Sequence, residues 1–385
     1  MTRQLRKLYV ALFLAVLALL FVWSARNLLS VTLPPDTSVL DGKWAKAVES
    51  HYDKEFPVKR LGTNVWAALD YLLFGEGRPG VIVGRNDWLF SDEEFKPVVN
   101  GEQNIADNLA LVRGVRDQLA RQNIKLVLAI VPAKSRLYPE YLDETQPAAM
   151  RTRLYEDFHA AAERAGILAP DLLKPLEQAK SNGEVFLRTD THWTPMGAEV
   201  VAQTLGRTIR GDALLSSEPQ QFVTETGEIK PHKGDLLNFL PLDPLFSDLL
   251  PPADKLQQRT THPANDGEAG GDALFADTEV PVALVGTSYS ANERWNFPGA
   301  LRQSLASDLV NHAEDGRGPL LPMLKFLQSE EFKSAPPQVV VWEFPERYLP
   351  MQNDLSDFDP SWIAELKKAG TAESLASTAG KTATP

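Results

Sequence analysis

No cysteine occurs in this chain of 385 residues. Disulfides, thiolate metal sites and a cysteine nucleophile are therefore excluded. The absence is compatible with an oxidising compartment and does not prove one. An excess of positive charge is missing too. Lys and Arg number 39 against 51 Asp and Glu, a formal net charge of −12. Nucleic-acid binding without sequence preference needs clustered cations to displace counterions from phosphates, so that class is excluded. Histidine is scarce, with six in all. Five of them (His51, His159, His232, His262 and His312) show no metal-ligand spacing. No internal repeat is visible. What remains is ordinary for a packed protein, with 43% hydrophobic and 23% charged residues. The length suits one large domain with attachments, or two small domains.

Residues 1–30 read MTRQLRKLYVALFLAVLALLFVWSARNLLS. Arg3, Arg6 and Lys7 precede an uncharged run from Leu8 to Ala25. A bilayer-crossing helix needs about 20 apolar residues, with a lower limit of about 17. The run meets that limit. Its positive flank stays on the cytoplasmic side and sends the rest of the chain across. Cleavage after the run is the rival reading. Val22 and Ser24 are small enough to flank a cut, but Trp23 lies between them and the run is long for a signal peptide. An uncleaved anchor over 1–30 is the expectation.

Residues 31–75 read as a short Pro-containing linker and two amphipathic helices. Leu40, Trp44, Val48 and Tyr52 mark the first, and Val65, Leu69, Leu72 and Leu73 the second, a helical pair packed on the main domain. VIVGRNDWLF, 81–90, reads as strand, turn, strand. The pattern then becomes α/β. Ile105, Leu109, Val112 and Leu119 mark a helix, and KLVLAIVP, 125–132, a central parallel strand. A helix over 147–166 follows, then short strands near Ile167–Leu168 and Val185–Leu187. Thr194-Pro195 caps a helix running to about Arg210. VPVALVG, 280–286, and QVVVWEF, 338–344, are strands with a helix over 319–332 between them. The alternation indicates an α/β fold with a doubly wound, mostly parallel sheet. Residues 212–278 read as loop-rich, and the last 25 or so as a disordered polar tail. The division expected is 1–30 anchor, 31–75 helical segment, 76–352 catalytic domain and 353–385 tail.

RTDTHWTPMGAEVV, 188–201, places Asp190 two residues before His192, between a strand and a capped helix. Ligand sites in open α/β sheets lie at the carboxyl ends of strands. A carboxylate that holds one ring N–H leaves the other nitrogen free as a base. The pair suits activation of a nucleophile or a metal site; a surface pair capping the helix at Thr194 is the plain alternative. ALVGTSYS, 283–290, is a strand, a glycine and a hydroxyl-rich turn. Ser288 would project from the strand end, with Ser290 and Thr287 as rivals, and backbone N–H groups are available for an oxyanion. The G-x-S-x-G pattern is absent, because Ser290 replaces the second glycine.

Together these stretches resemble the SGNH-type O-acetyltransferases of bacterial exopolysaccharide export, the alginate AlgJ/AlgX family. The resemblance spans about 76–350 and rests on GRNDWLF, VPAKSRLYPE, TDTHWTPMGAE, HKGDLLNF, VALVGTSYS and VWEFPERY, in that order. It implies an SGNH-hydrolase-like fold with a permuted order of catalytic motifs, the Asp-His pair preceding the Ser. It implies Ser288 as nucleophile, His192 as general base and Asp190 as its orienter. The anchored N-terminus and the lack of a folded module after about 350 are more similar to AlgJ than to AlgX, which carries a C-terminal carbohydrate-binding domain. Tyr289, Lys134 and Arg347, near strand ends, are candidates to line the site or stabilise an oxyanion.

The resemblance further implies an inner-membrane anchor and a catalytic domain in the periplasm, with no cofactor and no metal. Acetyl-CoA is absent there, so the expected partner is a membrane-bound acyltransferase that passes acetyl across, alongside other acetylation and export proteins. The acceptor is an exported polysaccharide, alginate on its mannuronate hydroxyls being expected and another polymer remaining open. A net charge of −12 repels a polyanion. Either Lys125, Lys134 and Arg136 form a basic groove, or the polymer binds weakly. An acetylesterase of the same fold and a non-catalytic assembly subunit are the competing functions.

Overall fold

The structure is a computed structural model that describes residues 3–28, 42–55, 57–142, 152–264 and 280–368. The chain divides into two compact units, residues 1–79 with 238–250 and residues 80–237 with 251–385.

The first unit is helical. Helix α1 is Arg3–Leu28, α2 is Lys43–Glu55 and α3 is Pro57–Phe74. Over Arg3–Ala25, α1 is long and apolar enough to cross a membrane. Pro57 opens α3, where its missing N–H costs nothing. Inside this unit the buried Asn64 donates to the carbonyls of Pro241 and Asp243, at 2.5 and 2.9 Å. The expected helices are present. Val65, Leu69, Leu72 and Leu73 lie on the exposed side of α3.

The second unit opens with an antiparallel hairpin, β1 (Val81–Val83) and β2 (Leu89–Ser91). Asn86 and Asp87 in its turn take φ of 55° and 65°, a left-handed region that Asn and Asp tolerate. There follow α4 (Gly101–Ala120), β3 (Lys125–Val131), α5 (Lys134–Leu137), α6 (Leu154–Arg164), α7 (Leu173–Ala179) and α8 (Pro195–Gly211). Strands β4 (Phe222–His232) and β5 (Asp254–Pro263) form a long antiparallel hairpin. The unit continues with β6 (Val282–Val285), α9 (Ser288–Ala291), α10 (Phe297–Leu305), β7 (Leu309–Asn311), α11 (Leu320–Gln328), α12 (Glu330–Ser334) and β8 (Val339–Pro345).

Strands β3, β8, β6 and β7 lie side by side in that order, all parallel. Successive strand residues face opposite sides. Val127, Ala129, Val282, Leu284, Val339 and Val341 therefore pack with α8 and α10 in one core. Leu126, Leu128, Ala283, Val285, Val340 and Trp342 pack with α4, α6 and α11 in the other. A sheet buried on both faces needs uninterrupted apolar runs, which is what KLVLAIV and VVVW supply. The register sets Val131 beside Pro345 and Val285 beside Trp342. The turns after β3, β6 and β8 thus open on one edge of the sheet.

The doubly wound parallel sheet is present as expected, and several local expectations change. The strands expected at Ile167–Leu168 and Val185–Leu187 are single bridges, Leu168 with Val127 and Phe186 with Trp193. The segment 212–278 holds the β4–β5 hairpin instead of loop alone. Phe222–His232 exposes nearly every side chain, so it lacks the apolar alternation that announces a strand. The expected 147–166 helix begins at Leu154, with 143–151 outside the described residues. At the C-terminal end, residues 360–368 are helical, with Ile363 and Leu366 in the second core. The polar stretch 369–385 lies outside the described residues.

Candidate active site

The segment carrying Asp190 and His192 is a tight loop closed on itself. Leu187 N–H donates to His192 O at 3.1 Å, and Thr194 N–H to Val185 O at 3.0 Å. Thr194 then caps α8 by accepting from Gly197 N–H at 3.1 Å, with Pro195 in the first turn. Buried backbone polar groups need partners, and carboxylates supply them here. Asp254 accepts the N–H groups of Arg188 and Thr189 at 3.0 and 2.9 Å, and Asp235 that of Thr191 at 2.7 Å. Asp190 accepts that of His192 at 3.0 Å. An Asp side chain readily accepts an N–H two residues on, which is why the D-x-H spacing works.

Lys134 holds the other side of the loop. It is fully buried, and its ammonium donates to the carbonyls of Leu89, Arg188 and Asp190 at 2.5, 2.9 and 2.9 Å. Burial lowers its pKa to about 8, against the charges of Glu94, Asp254 and Asp190. Tyr289 OH donates to Thr191 O at 2.7 Å and accepts from Arg347 at 3.0 Å. Burial pushes that phenol well above its ordinary range. Arg347 also pairs with Glu93 at 3.1 Å. The polar atoms of Lys134 and Tyr289 thus hold loop carbonyls, and Arg347 holds the Tyr289 hydroxyl. All three side chains are buried.

Ser288 begins α9, directly after β6. Gly286 makes the turn possible, since a Cβ there would sit 2.5 Å from Glu343 Oε2. Glu343, in the middle of β8, is fully buried and accepts from Thr287 N–H at 2.7 Å, the Thr287 hydroxyl at 3.0 Å and the Ser290 hydroxyl at 3.1 Å. Burial raises its pKa, against these hydrogen bonds and Arg347. The two rival hydroxyls are thereby engaged and enclosed. Only Ser288 among the three meets an imidazole.

Ser288 Oγ lies 2.7 Å from His192 Nε2, and His192 Nδ1 lies 2.6 Å from Asp190 Oδ1. With the ring proton on the Asp190 side, Nε2 is left to accept the serine hydroxyl. The other Asp190 oxygen accepts from His232 Nε2 at 2.7 Å and from Asp235 N–H at 3.2 Å. Burial disfavours the Asp190 charge, but bonds from both imidazoles outweigh it and hold the carboxyl well below the usual carboxylate range. Trp295 lies against both rings. It stacks on His192 at 5.1 Å and meets His232 edge-on at 5.6 Å, while its indole N–H donates to Ser288 O at 3.2 Å.

His232, Glu343 and Trp295 were missed by sequence reasoning. HKGDLLNF supplies both His232 and Asp235 to the site. Gly234 lets that stretch close on the loop, because a Cβ there would meet Thr189 O at 2.0 Å. A lone Glu inside the apolar run QVVVWEF was a usable signal for Glu343, since a charge enters a core only with partners. Asp190, His192 and Asp235 each offer one atom within 4.8 Å of the others, a set that could hold a cation. His192 Nδ1 and Asp190 Oδ1 are already hydrogen-bonded to each other at 2.6 Å.

A groove of about 710 Å³ is lined by Ala291, Arg259, Arg294, Arg302, Asn296 and Asn311 among others. Arg259 pairs with Glu199 and Arg302 with Asp308, and Glu293 also lines the groove. Its cations are largely balanced. Lys125, Lys134 and Arg136, the residues considered for a basic groove, do not come together. Lys134 is buried as described, Arg136 is paired with Glu346 at 2.5 Å, and Lys125 opens β3 at the far end of the strand.

Comparison with known proteins agrees with this geometry. The family described as SGNH hydrolase-like domain, acetyltransferase AlgX, matches residues 81–346. The chain is 62% identical to the probable alginate O-acetylase AlgJ of Pseudomonas syringae pv. tomato over 386 aligned residues, covering 100% of this chain and 99% of that protein. It is 61% identical to the probable alginate O-acetylase AlgJ of Azotobacter vinelandii, covering 96% and 95%. The solved O-acetyltransferase domain of Pseudomonas putida AlgJ superposes with a TM-score of 0.71 at 61% identity, covering 76% of this chain and 100% of that domain. With a parallel sheet carrying a Ser-His-Asp chain at one edge and relatives of this identity over nearly the full length, the chain belongs to the SGNH hydrolase-like acetyltransferase family that includes the AlgJ alginate O-acetylases.

Proposed function

We propose that the chain O-acetylates an exported polysaccharide, alginate on its mannuronate hydroxyls, through an acetyl-serine intermediate on Ser288. The observation that carries this reading is the hydrogen-bonded chain Ser288–His192–Asp190, with contacts of 2.7 and 2.6 Å. A serine hydroxyl becomes a useful nucleophile only when a base takes its proton. In the first half-reaction Ser288 Oγ bonds to the acetyl carbon of the donor while its proton passes to His192 Nε2. The tetrahedral adduct collapses, and the donor's leaving group departs with that proton. In the second half a sugar hydroxyl attacks the acetyl-serine and yields its proton to His192, and Ser288 leaves and recovers it. Asp190 holds the Nδ1 proton and stabilises the imidazolium formed in both halves. His232 acts as a positioning residue: by occupying the second Asp190 oxygen it fixes the carboxylate plane toward His192.

The relatives named as alginate O-acetylases support an alginate acceptor and a place in the acetylation and export machinery. The apolar helix α1 supports an inner-membrane anchor, with the second unit in the periplasm. The acetyl donor is then a membrane-bound acyltransferase partner. The balanced charge of the groove beside α9 supports weak binding of the isolated chain to polymer. The test is polymer made in cells whose own copy is replaced. Ser288→Ala should abolish O-acetylation at normal protein level, and unchanged acetylation would refute the reading in favour of a non-catalytic subunit.

A further inference from the structure

We infer that α3 lies in the plane of the membrane, with its apolar face in the boundary between lipid headgroups and acyl chains. The helix is built inside out for a soluble unit. Its buried side carries only the small Ala68 and Asn64, whose amide donates to two main-chain carbonyls of the segment 238–250. Leu61, Val65, Trp66, Leu69, Leu72 and Leu73 stand on the exposed side, Trp66 at 67% and Leu73 at 68% exposure. Single exposed hydrophobes are common, but a continuous stripe along one helix marks a surface that something covers.

Lipid is favoured as the cover by position and by chemistry. Helices α2 and α3 touch α1. Where its side chains are described, α1 is exposed throughout except at Leu20, Ser24 and Ala25. These are the last turns of the apolar stretch Arg3–Ala25. The contact therefore falls where a spanning helix leaves the hydrocarbon, which is the depth of an interfacial helix. Trp66 brings a ring suited to that boundary, and the exposed Arg60 stands near the start of the helix where a headgroup phosphate could meet it, while Lys59 beside it pairs with Asp53 at 2.5 Å. The inference rests on α1 being an anchor, and it goes further by giving the first unit a second, surface-lying contact. That contact would hold the unit at a set depth instead of leaving it on a single tether.

The absence of cysteine makes the test direct, because single labels need no background removal. Full-length chains carrying Trp66→Cys, Leu69→Cys or Leu73→Cys would be labelled with an environment-sensitive fluorophore and reconstituted in phospholipid vesicles. Leu14→Cys in α1 reports the span, and Lys255→Cys in β5 is the water reference. Turnover of a chromogenic acetyl ester checks that each labelled chain is folded. Lipids brominated high or low on the acyl chain then act as quenchers. Labels at 66, 69 and 73 should be quenched at least about threefold more than the label at 255, and more by bromines near the headgroup than near the chain end. The label at 14 should show the reverse depth preference. Quenching at 14 without quenching on α3 would leave the anchor standing and overturn the inference, whether water or a second copy of the chain covers the face. Quenching at neither place would remove the anchor as well.

Discussion

Helices α8 and α3 carry the same kind of sequence and meet opposite surroundings. Each opens on a proline and repeats apolar residues at helical spacing. Along α8 the stripe Ala198, Val201, Ala202, Leu205 and Ile209 is buried against the parallel sheet. Along α3 the stripe Val65, Leu69, Leu72 and Leu73 is exposed. Periodicity thus reports that a helix has an apolar face, and it is silent on which medium that face meets. What separates the two is the opposite face. The outer side of α8 is solvated and its cap is local. The inward side of α3 carries only Asn64, whose amide donates to two main-chain carbonyls, and the small Ala68, so its large apolar residues all stand on the other face.

Chemistry should accordingly reside in the unit built on α8 and be indifferent to α3. The largest effect is expected from Ser288→Ala, at least about a thousandfold loss of acetyl-ester turnover, because the residual rate comes from binding and oxyanion contacts alone. Next comes His232→Ala. Loss of the bond to the second Asp190 oxygen should lower kcat by about ten- to a hundredfold with KM little changed, as for other groups that orient a reacting residue. His232→Gln, which keeps one N–H, should lose less. Equal losses for the two variants, or a change confined to KM, would contradict the positioning role.

A smaller effect, on stability, is expected from Lys134→Met. It strands the carbonyls of Leu89, Arg188 and Asp190, and a denaturant midpoint should report about 3 kcal/mol of lost stability. Glu343→Gln tests the pH dependence. The folded state raises this carboxyl's pKa, so it keeps a proton that the unfolded chain releases. Its contribution is fully present below the unfolded value and is lost as pH rises through the folded one. The variant should show a flatter decline of stability with pH above the ordinary Glu range, and an unchanged slope would contradict the assignment. The smallest effect belongs to the other side of the comparison. Leu69→Asn with Leu73→Asn should change ester turnover by less than about twofold, since both are exposed side chains.

The legible parts of the sequence were those whose signal is local. KLVLAIV and VVVW announce buried strands by composition alone. D-x-H is read from an Asp side chain's habit of accepting the N–H two residues on, and Thr194-Pro195 from the needs of a helix start. Ser288 was legible because a strand, Gly286 and a hydroxyl are adjacent in the chain. The rest depended on distance. His232 reaches Asp190 from 42 residues downstream, on a strand whose exposed faces leave no alternation to read. Glu343 reaches Thr287 and Ser290 only because β8 and β6 pair in one particular register. Lys134, Tyr289 and Arg347 were placed near the right edge, but a sequence does not show whether a long polar side chain points to solvent or into the supports of a loop.

Peptide mapping after rapid quenching tests the serine assignment most directly. The full-length chain would be mixed with an activated acetyl ester, stopped within one turnover and digested, with fragmentation used to assign the modified residue. One acetyl group on Ser288, absent from His192→Ala, is the predicted result. An acetyl group on Thr287 or Ser290, or full turnover with no acetylated peptide, would contradict it.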